Sequence, residues 1–152
     1  MGFSFVHMAD VHLDTPFMSR DAILRKELRD AMKSAFKSGV DFAIGHNVDA
    51  LLIAGDLFDN DSLCFSTESF LRTQFDRLLK ANINIYYAPG NHDPYGSGFR
   101  LGRIEWPPNV HVFKSSTPET VPLYGRDGGL VSYIVGAGHR SRVEGSNIAA
   151  GF

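Results

Sequence analysis

Apolar residues in the first two-thirds of the chain alternate between short continuous runs and longer stretches with helical spacing. The short runs predict three strands, the first of them largely buried, at residues 3–8, 50–54 and 83–88. Between them, apolar residues recur every three or four positions, which predicts two amphipathic helices, over residues 21–46 and from about residue 70 to near Asn82. Because glycine is a poor helix former, we expect the first helix to break near Gly39. This order predicts a βαβαβ unit of parallel strands with right-handed crossovers.

The pattern changes after Pro94. Prolines separate short runs that resemble strands joined by turns, at residues 110–113, 121–124 and 130–135. The predicted fold class is therefore α/β, a parallel βαβαβ unit extended by further β-strands. No repeat or linker divides the chain, so we expect one domain over residues 1–152. Because the sequence stops soon after a strand-like run, we expect this domain to be N-terminal and incomplete.

Composition excludes several classes of protein. Of 152 residues, 43% are hydrophobic and 21% are charged, which is typical of a globular domain rather than a disordered chain. No apolar run is long enough to span a bilayer, and the first residues lack the pattern of a signal peptide. A single cysteine excludes an internal disulfide framework. We therefore expect a cytoplasmic protein.

The formal charge of −2 gives no overall basic surface for nucleic acid. This argument is weak for an enzyme that uses metal ions, because bound ions supply positive charge that the sequence does not count. We interpret the basic residues between Arg25 and Lys37 as the solvated face of a helix. The role of the basic pairs Arg100/Arg103 and Arg140/Arg142 stays open.

A loop rich in potential metal ligands follows each of the three predicted strands. The loops contain Asp10-Val11-His12, Gly55-Asp56-Leu57-Phe58-Asp59 and Gly90-Asn91-His92-Asp93. Because ligand sites form beyond the carboxyl ends of parallel strands, we expect these loops to meet at one edge of the sheet. Carboxylate, imidazole and amide groups suit Mn²⁺, Fe or Zn²⁺. Two such ions would hold a phosphoryl group and activate a water molecule.

The three motifs together resemble those of the calcineurin-like metallophosphoesterases. Within that superfamily, residues 10–17 and 49–59 are most similar to the bacterial DNA-repair exonucleases (SbcD-like). The resemblance implies a four-layer α/β/β/α sandwich and a metal-dependent DNA exonuclease that uses two divalent ions, with Mn²⁺ favoured. It further implies DNA as substrate, a coiled-coil ATPase as partner and a possible dimer, without a membrane partner.

By this resemblance, each motif residue has an expected role. Asp10 and His12 would ligate the first ion, Asp56 would bridge the two, and Asn91 would ligate the second. The other two residues would be catalytic: His92 would stabilise or protonate the leaving oxygen, and Asp93 would orient its ring.

The sequence departs from the family after the third motif. The family completes its metal shell with further histidines, the last in a G-H-x-H pattern, whereas only His111 and His139 follow His92 here. We therefore expect weak metal binding by this chain. Two alternatives stay open: a phosphatase or cyclic-nucleotide phosphodiesterase with the same site, and an inert fragment with an exposed sheet edge.

The remaining candidate residues have simpler interpretations. His7 is predicted to be packed and hydrogen-bonded in the core, and His46 to bond the last carbonyls of a helix. We expect His111 on the solvent face of a strand and Cys64 to be packed. Two interpretations stay open for Asp59, which is either a partner of the site or a cap of the following turn. Two also stay open for His139, which lies in a turn either near substrate or merely in solvent.

Overall fold

Four parallel strands form the main sheet of the protein. The structure is a computed structural model that describes residues 2–125 and 128–152. The strands lie in the order β1 (Phe5–Ala9), β2 (Ala50–Ala54), β3 (Asn84–Ala88) and β4 (Val110–Val112). Helix α1 (Ala22–Gly45) joins β1 to β2, and α2 (Phe65–Lys80) joins β2 to β3. The predicted α/β class and parallel βαβαβ order are confirmed.

Both helices pack against one face of this sheet. The main core contains side chains of the two helices together with alternate residues of the strands, such as Leu51, Ile53 and Tyr87. Helix α1 begins after Asp21, whose carboxylate accepts hydrogen bonds from the backbone N–H groups of Ile23 and Leu24. Neither helix has the length and hydropathy needed to cross a membrane.

The predicted break in α1 is wrong, because the helix continues through Gly39 to Gly45. The methyl carbon of Met8, on β1, occupies the space that a Cβ of residue 39 would take, 2.1 Å from that position. Tertiary packing between β1 and α1 therefore outweighs the low helix propensity of glycine. At the end of the helix, the Nδ1 atom of His46 lies 3.0 Å from the carbonyl oxygen of Phe42, as predicted.

A two-stranded antiparallel sheet of β5 (Glu119–Tyr124) and β6 (Leu130–Gly136) covers part of the opposite face. It contributes Leu123 to a second, smaller core with Ala50, Tyr86 and Phe113. The described residues thus form three layers, namely helices, parallel sheet and small sheet. Within them, no α-helix covers the outer face of the small sheet, which would be the fourth layer of the expected sandwich.

The small sheet covers only part of the opposite face of the main sheet, and two predictions for β1 are therefore wrong. Phe5 is 51% exposed and His7 is also exposed, so the strand is not largely buried and His7 is not a core histidine. Val6 and Met8 face the helices and are partly buried in the main core. Sequence alternation identified the strand, but it could not show that only one face of β1 is covered.

Two further residues differ from expectation. His111 is half-buried rather than on a solvent face, since its ring lies 4.9 Å from that of Phe113 and its Nε2 lies 3.4 Å from a carboxylate oxygen of Glu119. Cys64 is exposed rather than packed. It precedes the first turn of α2, where its sulfur lies 3.0 Å from the hydroxyl of Ser66.

Candidate metal centre

The three motif loops leave the main sheet at the same level. Ala9, Ala54 and Ala88 are paired across β1, β2 and β3, so each loop starts one residue beyond this row. Backbone hydrogen bonds continue past the strands: the N–H of His12 donates to the carbonyl of Asp56 at 2.8 Å. The loops are therefore held side by side at the carboxyl edge of the sheet, as expected for an open parallel sheet.

Asp10, His12 and Asp56 form the first group of potential metal ligands. One donor atom from each lies within 4.8 Å of the other two. The Nε2 atom of His12 lies 3.7 Å from Oδ2 of Asp56. The other oxygen of Asp56 accepts a hydrogen bond of 2.9 Å from the backbone N–H of His92, which fixes this buried carboxylate between the second and third loops.

A second group consists of Asp59, His12 and His92. One oxygen of Asp59 lies 3.2 Å from Nδ1 of His12 and 2.7 Å from Nδ1 of His92, and the other accepts a hydrogen bond from Thr15. Because a carboxylate only accepts, each Nδ1 carries the proton. Both rings are therefore oriented with Nε2 left to meet a ligand. The open question about Asp59 is answered, since its side chain joins two residues of the site.

The electrostatics of Asp59 agree with this role. Partial burial acts to raise the pKa of its carboxyl, but hydrogen bonds from Thr15, His12 and His92 outweigh burial and lower the pKa below its ordinary value. Asp59 is thus held as an anion next to two imidazoles.

The expectation that Asp93 orients the ring of His92 is wrong. Asp93 is fully buried, and its oxygens accept hydrogen bonds from the backbone N–H groups of Asp56 and Gly90, at 3.2 and 2.7 Å, and from the hydroxyl of Tyr87. Burial raises the pKa of Asp93, although these hydrogen bonds oppose the shift. Asp93 therefore fixes the backbone of the second and third loops, and Asp59 takes the contact that was expected of it.

Comparison with known proteins agrees with this geometry. The family model for calcineurin-like phosphoesterases matches residues 3–149. The chain belongs to the calcineurin-like phosphoesterase family.

Two bacterial relatives indicate where the similarity lies. The uncharacterized metallophosphoesterase YhaO of Bacillus subtilis (strain 168) is 34% identical over 150 residues, which are 97% of this chain and 36% of that protein. One subunit of the nuclease SbcCD of Escherichia coli (strain K12) is 32% identical over 93 residues, which are 58% of this chain and 20% of that protein. The match thus spans little more than a third of the length of YhaO and a fifth of the length of the SbcCD subunit.

The chemistry of the donor groups fits the divalent metals of the calcineurin-like phosphoesterases. The two groups combine carboxylate oxygens with imidazole nitrogens and contain no thiolate, a set suited to Mn²⁺, Fe or Zn²⁺. Carboxylates gathered this closely repel one another unless a cation lies between them. Within the described residues, both groups come entirely from the first three loops, and neither His111 nor His139 joins them.

Asn91 and His92 lie on the outer side of the centre. Both are exposed, and together with Asp59 they line an open cavity of about 360 Å³. Arg142, which follows β6, also lines this cavity and forms an ion pair with Asp61. His139 contacts the third loop through its backbone, which donates to the carbonyl of Pro89 at 2.8 Å. The roles of Asn91 as a ligand and of His92 in catalysis stay predictions.

The glycines of the motifs have a visible steric reason. A Cβ at residue 90 would lie 2.2 Å from the Oδ1 atom of Asp56 and 2.7 Å from its backbone nitrogen. Gly55 has a φ of +79°, which favours glycine. Both support the sequence argument that a side chain would crowd these strand exits.

Asp14 is a residue of this region that sequence reasoning did not single out. It is buried, and its carboxylate accepts hydrogen bonds of 2.8 Å from the backbone N–H of Cys64 and 2.7 Å from the hydroxyl of Thr67. It thereby caps the start of α2 from 50 residues away. Sequence patterns identify a helix cap only when the capping residue directly precedes the helix. The cap that Asp14 provides could therefore not be predicted from the sequence.

Proposed function

We propose that the protein hydrolyses phosphodiester bonds in DNA with the help of two divalent metal ions, as an exonuclease. The observation that carries the proposal is the meeting of Asp10, His12 and Asp56 at the carboxyl edge of the sheet, with donor atoms within 4.8 Å of one another. Membership of the calcineurin-like phosphoesterase family supports phosphoester hydrolysis. The choice of DNA draws on the relative named as part of a nuclease, which matches 93 residues.

In this proposal, Asp10 and His12 hold one ion, Asp56 bridges and Asn91 holds the other. When bound, the ions supply charge neutralisation for the phosphate and a water molecule of lowered pKa. The position of His12 is set in advance, because the bond from its Nδ1 to Asp59 leaves Nε2 facing Asp56. We propose Mn²⁺ as the ion, since mixed oxygen and nitrogen donors accept it.

His92 supplies the proton that the leaving oxygen needs. Its Nδ1 is held at 2.7 Å by Asp59, so a protonated ring presents Nε2–H to the cavity that Asn91 also lines. A general acid of this kind contributes about 10²–10⁴-fold to a rate. Asp59 acts through His92 and is a positioning residue.

The partners and the location are further parts of this proposal. Because one relative is a component of a nuclease with more than one kind of chain, we propose that the complete protein works in an assembly with a second protein, the coiled-coil ATPase implied by the resemblance. A dimer of this protein remains part of that proposal. A cytoplasmic location agrees with its single cysteine.

The test compares three substrates with the complete protein and Mn²⁺. We expect hydrolysis of linear duplex DNA, slower hydrolysis of closed circular DNA, and little turnover of a small phosphomonoester. Turnover of the phosphomonoester alone, or of a cyclic nucleotide alone, would replace the nuclease by a phosphatase or a cyclic-nucleotide phosphodiesterase.

A metal titration of the present chain by calorimetry addresses the inert alternative. We expect weak or single-site binding of Mn²⁺, because only four side chains of this chain, those of Asp10, His12, Asp56 and Asn91, would ligate two ions. Tight binding at two sites would show that these loops suffice and would exclude an inert fragment.

A further inference from the structure

A groove of about 650 Å³ opens directly beside the candidate metal centre. One wall belongs to the centre and includes His12 and Asp59. The opposite wall is apolar and is formed by Phe17, Leu28, Ala31 and Met32. The phosphoester chemistry proposed above uses only the first wall.

The apolar wall is a consequence of how α1 is placed. All fully buried residues of this helix, namely Phe36, Val40 and Ala43, lie in its second half. Residues 28, 31 and 32 are spaced so that they share one side of the first half, and Leu28 is 36% exposed. The first half thus presents apolar side chains to the groove, although Met32 also packs partly against the main core.

Phe17 is held in place by local hydrogen bonds. Its N–H donates to the carbonyl of Thr15 at 3.0 Å, and its own carbonyl accepts from Ser19 at 2.9 Å. Thr15 in turn donates to Asp59 of the metal centre at 2.6 Å. The backbone that carries the aromatic ring is therefore anchored next to the ligands, and the wall that Phe17 forms is part of the fold without a ligand.

The helix that forms the apolar wall of the groove belongs to a basic stretch of the chain, although no Lys or Arg side chain among the described residues lines the groove itself. Residues 20–37 carry six Lys or Arg and three Asp or Glu, a net charge of +3, whereas the whole chain has a net charge of −2. With metal ions bound at the centre, an occupant that spans the groove would place an apolar part against Phe17 and an anionic part toward the ions. A nucleotide joins these parts, because its base has an apolar face and its phosphates are anionic.

We infer that this groove binds the nucleoside attached to the scissile phosphate, with its base against Phe17 and the apolar side of α1. The inference rests on the proposed function and deepens it by naming what the site recognises beside the phosphate. It makes Phe17 and Leu28 determinants of specificity for nucleic acid over small phosphoesters. A base on an aromatic side chain is sequence-tolerant, since every base has such a face.

The test compares two diesters that share the leaving group p-nitrophenolate. The first is the p-nitrophenyl ester of thymidine 5′-monophosphate, and the second, methyl p-nitrophenyl phosphate, has no nucleoside. With the complete protein and Mn²⁺, we expect Phe17→Ala and Leu28→Ala to lower kcat/KM for the first diester, Phe17→Ala by about 10–100-fold. Both should change hydrolysis of the second by less than about 2-fold. Met18→Ala is the matched control, because Met18 is fully exposed beside Phe17 and lines no part of the groove.

Binding of the product gives a readout that does not depend on turnover. By calorimetry, Phe17→Ala should weaken binding of thymidine 5′-monophosphate and leave binding of inorganic phosphate unchanged. Equal effects on both diesters and on both anions, or no effect on any of them, would overturn the inference while the nuclease activity stands. A wild-type protein that hydrolyses neither diester, yet binds thymidine 5′-monophosphate through Phe17, would overturn the proposed function and support the groove.

Discussion

Two regions of the molecule hold residues other than glycine in the left-handed backbone conformation, and they do so for different reasons. At the ends of the helices, Asn47 and Asn82 have φ values of 53° and 56°. At the edge of the sheet, Asp10, His12 and Asp56 have φ values of 51°, 49° and 51°. The backbone angle is nearly the same in both regions, whereas the interactions that maintain it differ.

At the helix ends, the conformation is explained locally. The N–H of Asn82 donates to the carbonyl of Leu79 at 3.0 Å and that of Ile83 to Leu78 at 2.9 Å, which closes the last turn of α2. Asparagine is one of the residues that tolerates this position. Such a turn serves the stability of the fold and needs no functional explanation.

At the sheet edge, the conformation is maintained by contacts between loops. The N–H of Asp10 donates to the carbonyl of Gly55, and the N–H of Asp56 donates to the side chain of Asp93. A strained backbone costs about 1–3 kcal/mol per residue and persists only where its surroundings enforce it. Since the result is a set of acidic side chains that repel one another, we interpret this region as a ligand site. We therefore expect substitutions there to separate activity from stability.

The largest effect is expected for Asp56→Asn in the complete protein. This variant removes the charge that would bridge two ions, so activity on DNA should fall by more than the roughly 100-fold that loss of a ligand-orienting residue costs. A nuclease assay with Mn²⁺ measures it. Thermal unfolding of the metal-free protein should change little, because the carboxylate and the amide have similar size.

Asp30→Asn is the control for this variant, since Asp30 is exposed on α1. It should alter neither activity nor stability. Wild-type activity in Asp56→Asn would mean that Asp56 bridges no metal, and the proposed centre would have to be abandoned.

Asp93 is expected to be an exception among the residues of the sheet edge, because its substitution should lower stability. Asp93→Ala leaves the backbone N–H groups of Asp56 and Gly90 and the hydroxyl of Tyr87 without their acceptor. The backbone N–H of Leu57 loses the same acceptor. Each unsatisfied buried donor costs about 1–3 kcal/mol, so we expect the free energy of unfolding to fall by at least about 3 kcal/mol. Urea denaturation of the metal-free protein measures this loss, with Asp30→Ala as the exposed control. A loss below about 1 kcal/mol would show that the buried network of Asp93 is not structural.

Sequence patterns predicted the parallel sheet because each strand carries its own signal. The run Ala50–Ala54 is apolar throughout and is a central strand with the bounds predicted for it. The failures occurred where a neighbour decides the outcome. Met8 allows α1 to pass through Gly39, and the small sheet leaves Phe5 and His7 exposed. Packing partners distant in sequence are not visible in hydrophobic periodicity.

The candidate site was predictable to a similar degree. The convergence of Asp10, His12 and Asp56 follows from strand order alone, because parallel neighbours end at one edge. The partner of His92 did not follow, since proximity in sequence favoured Asp93 over Asp59. The partner of a side chain depends on the path of each loop. Asp93 accepts hydrogen bonds from the backbone, such as that of Gly90, whereas the ring of His92 contacts Asp59.

A smaller effect on activity is expected for Asp59→Ala, which tests whether Asp59 orients the ring of His92. The variant removes the acceptor for Nδ1 of both His12 and His92, so activity should fall by about 10–100-fold. Asp59→Asn keeps one acceptor oxygen and should lose less. Titration of the wild type and both variants with Mn²⁺ should show weaker binding in the same order. If both variants keep full activity and metal affinity, the two rings do not depend on Asp59 for their orientation.

The smallest effect is expected at the helix ends, where asparagine adopts the left-handed conformation. Asn82→Ala places a Cβ in a left-handed conformation without the tolerance of asparagine, which should cost about 1 kcal/mol in the free energy of unfolding. Asn82→Gly should stay within about 0.5 kcal/mol of the wild type, since glycine adopts this conformation without steric strain. Neither variant should alter hydrolysis of DNA, because Asn82 lies at the end of α2, next to the amino end of β3 and away from the motif loops. Equal stability of the alanine and glycine variants would show that a φ near 56° carries no strain here. The same angle at Asp10, His12 and Asp56 could then no longer be interpreted as strain retained for function.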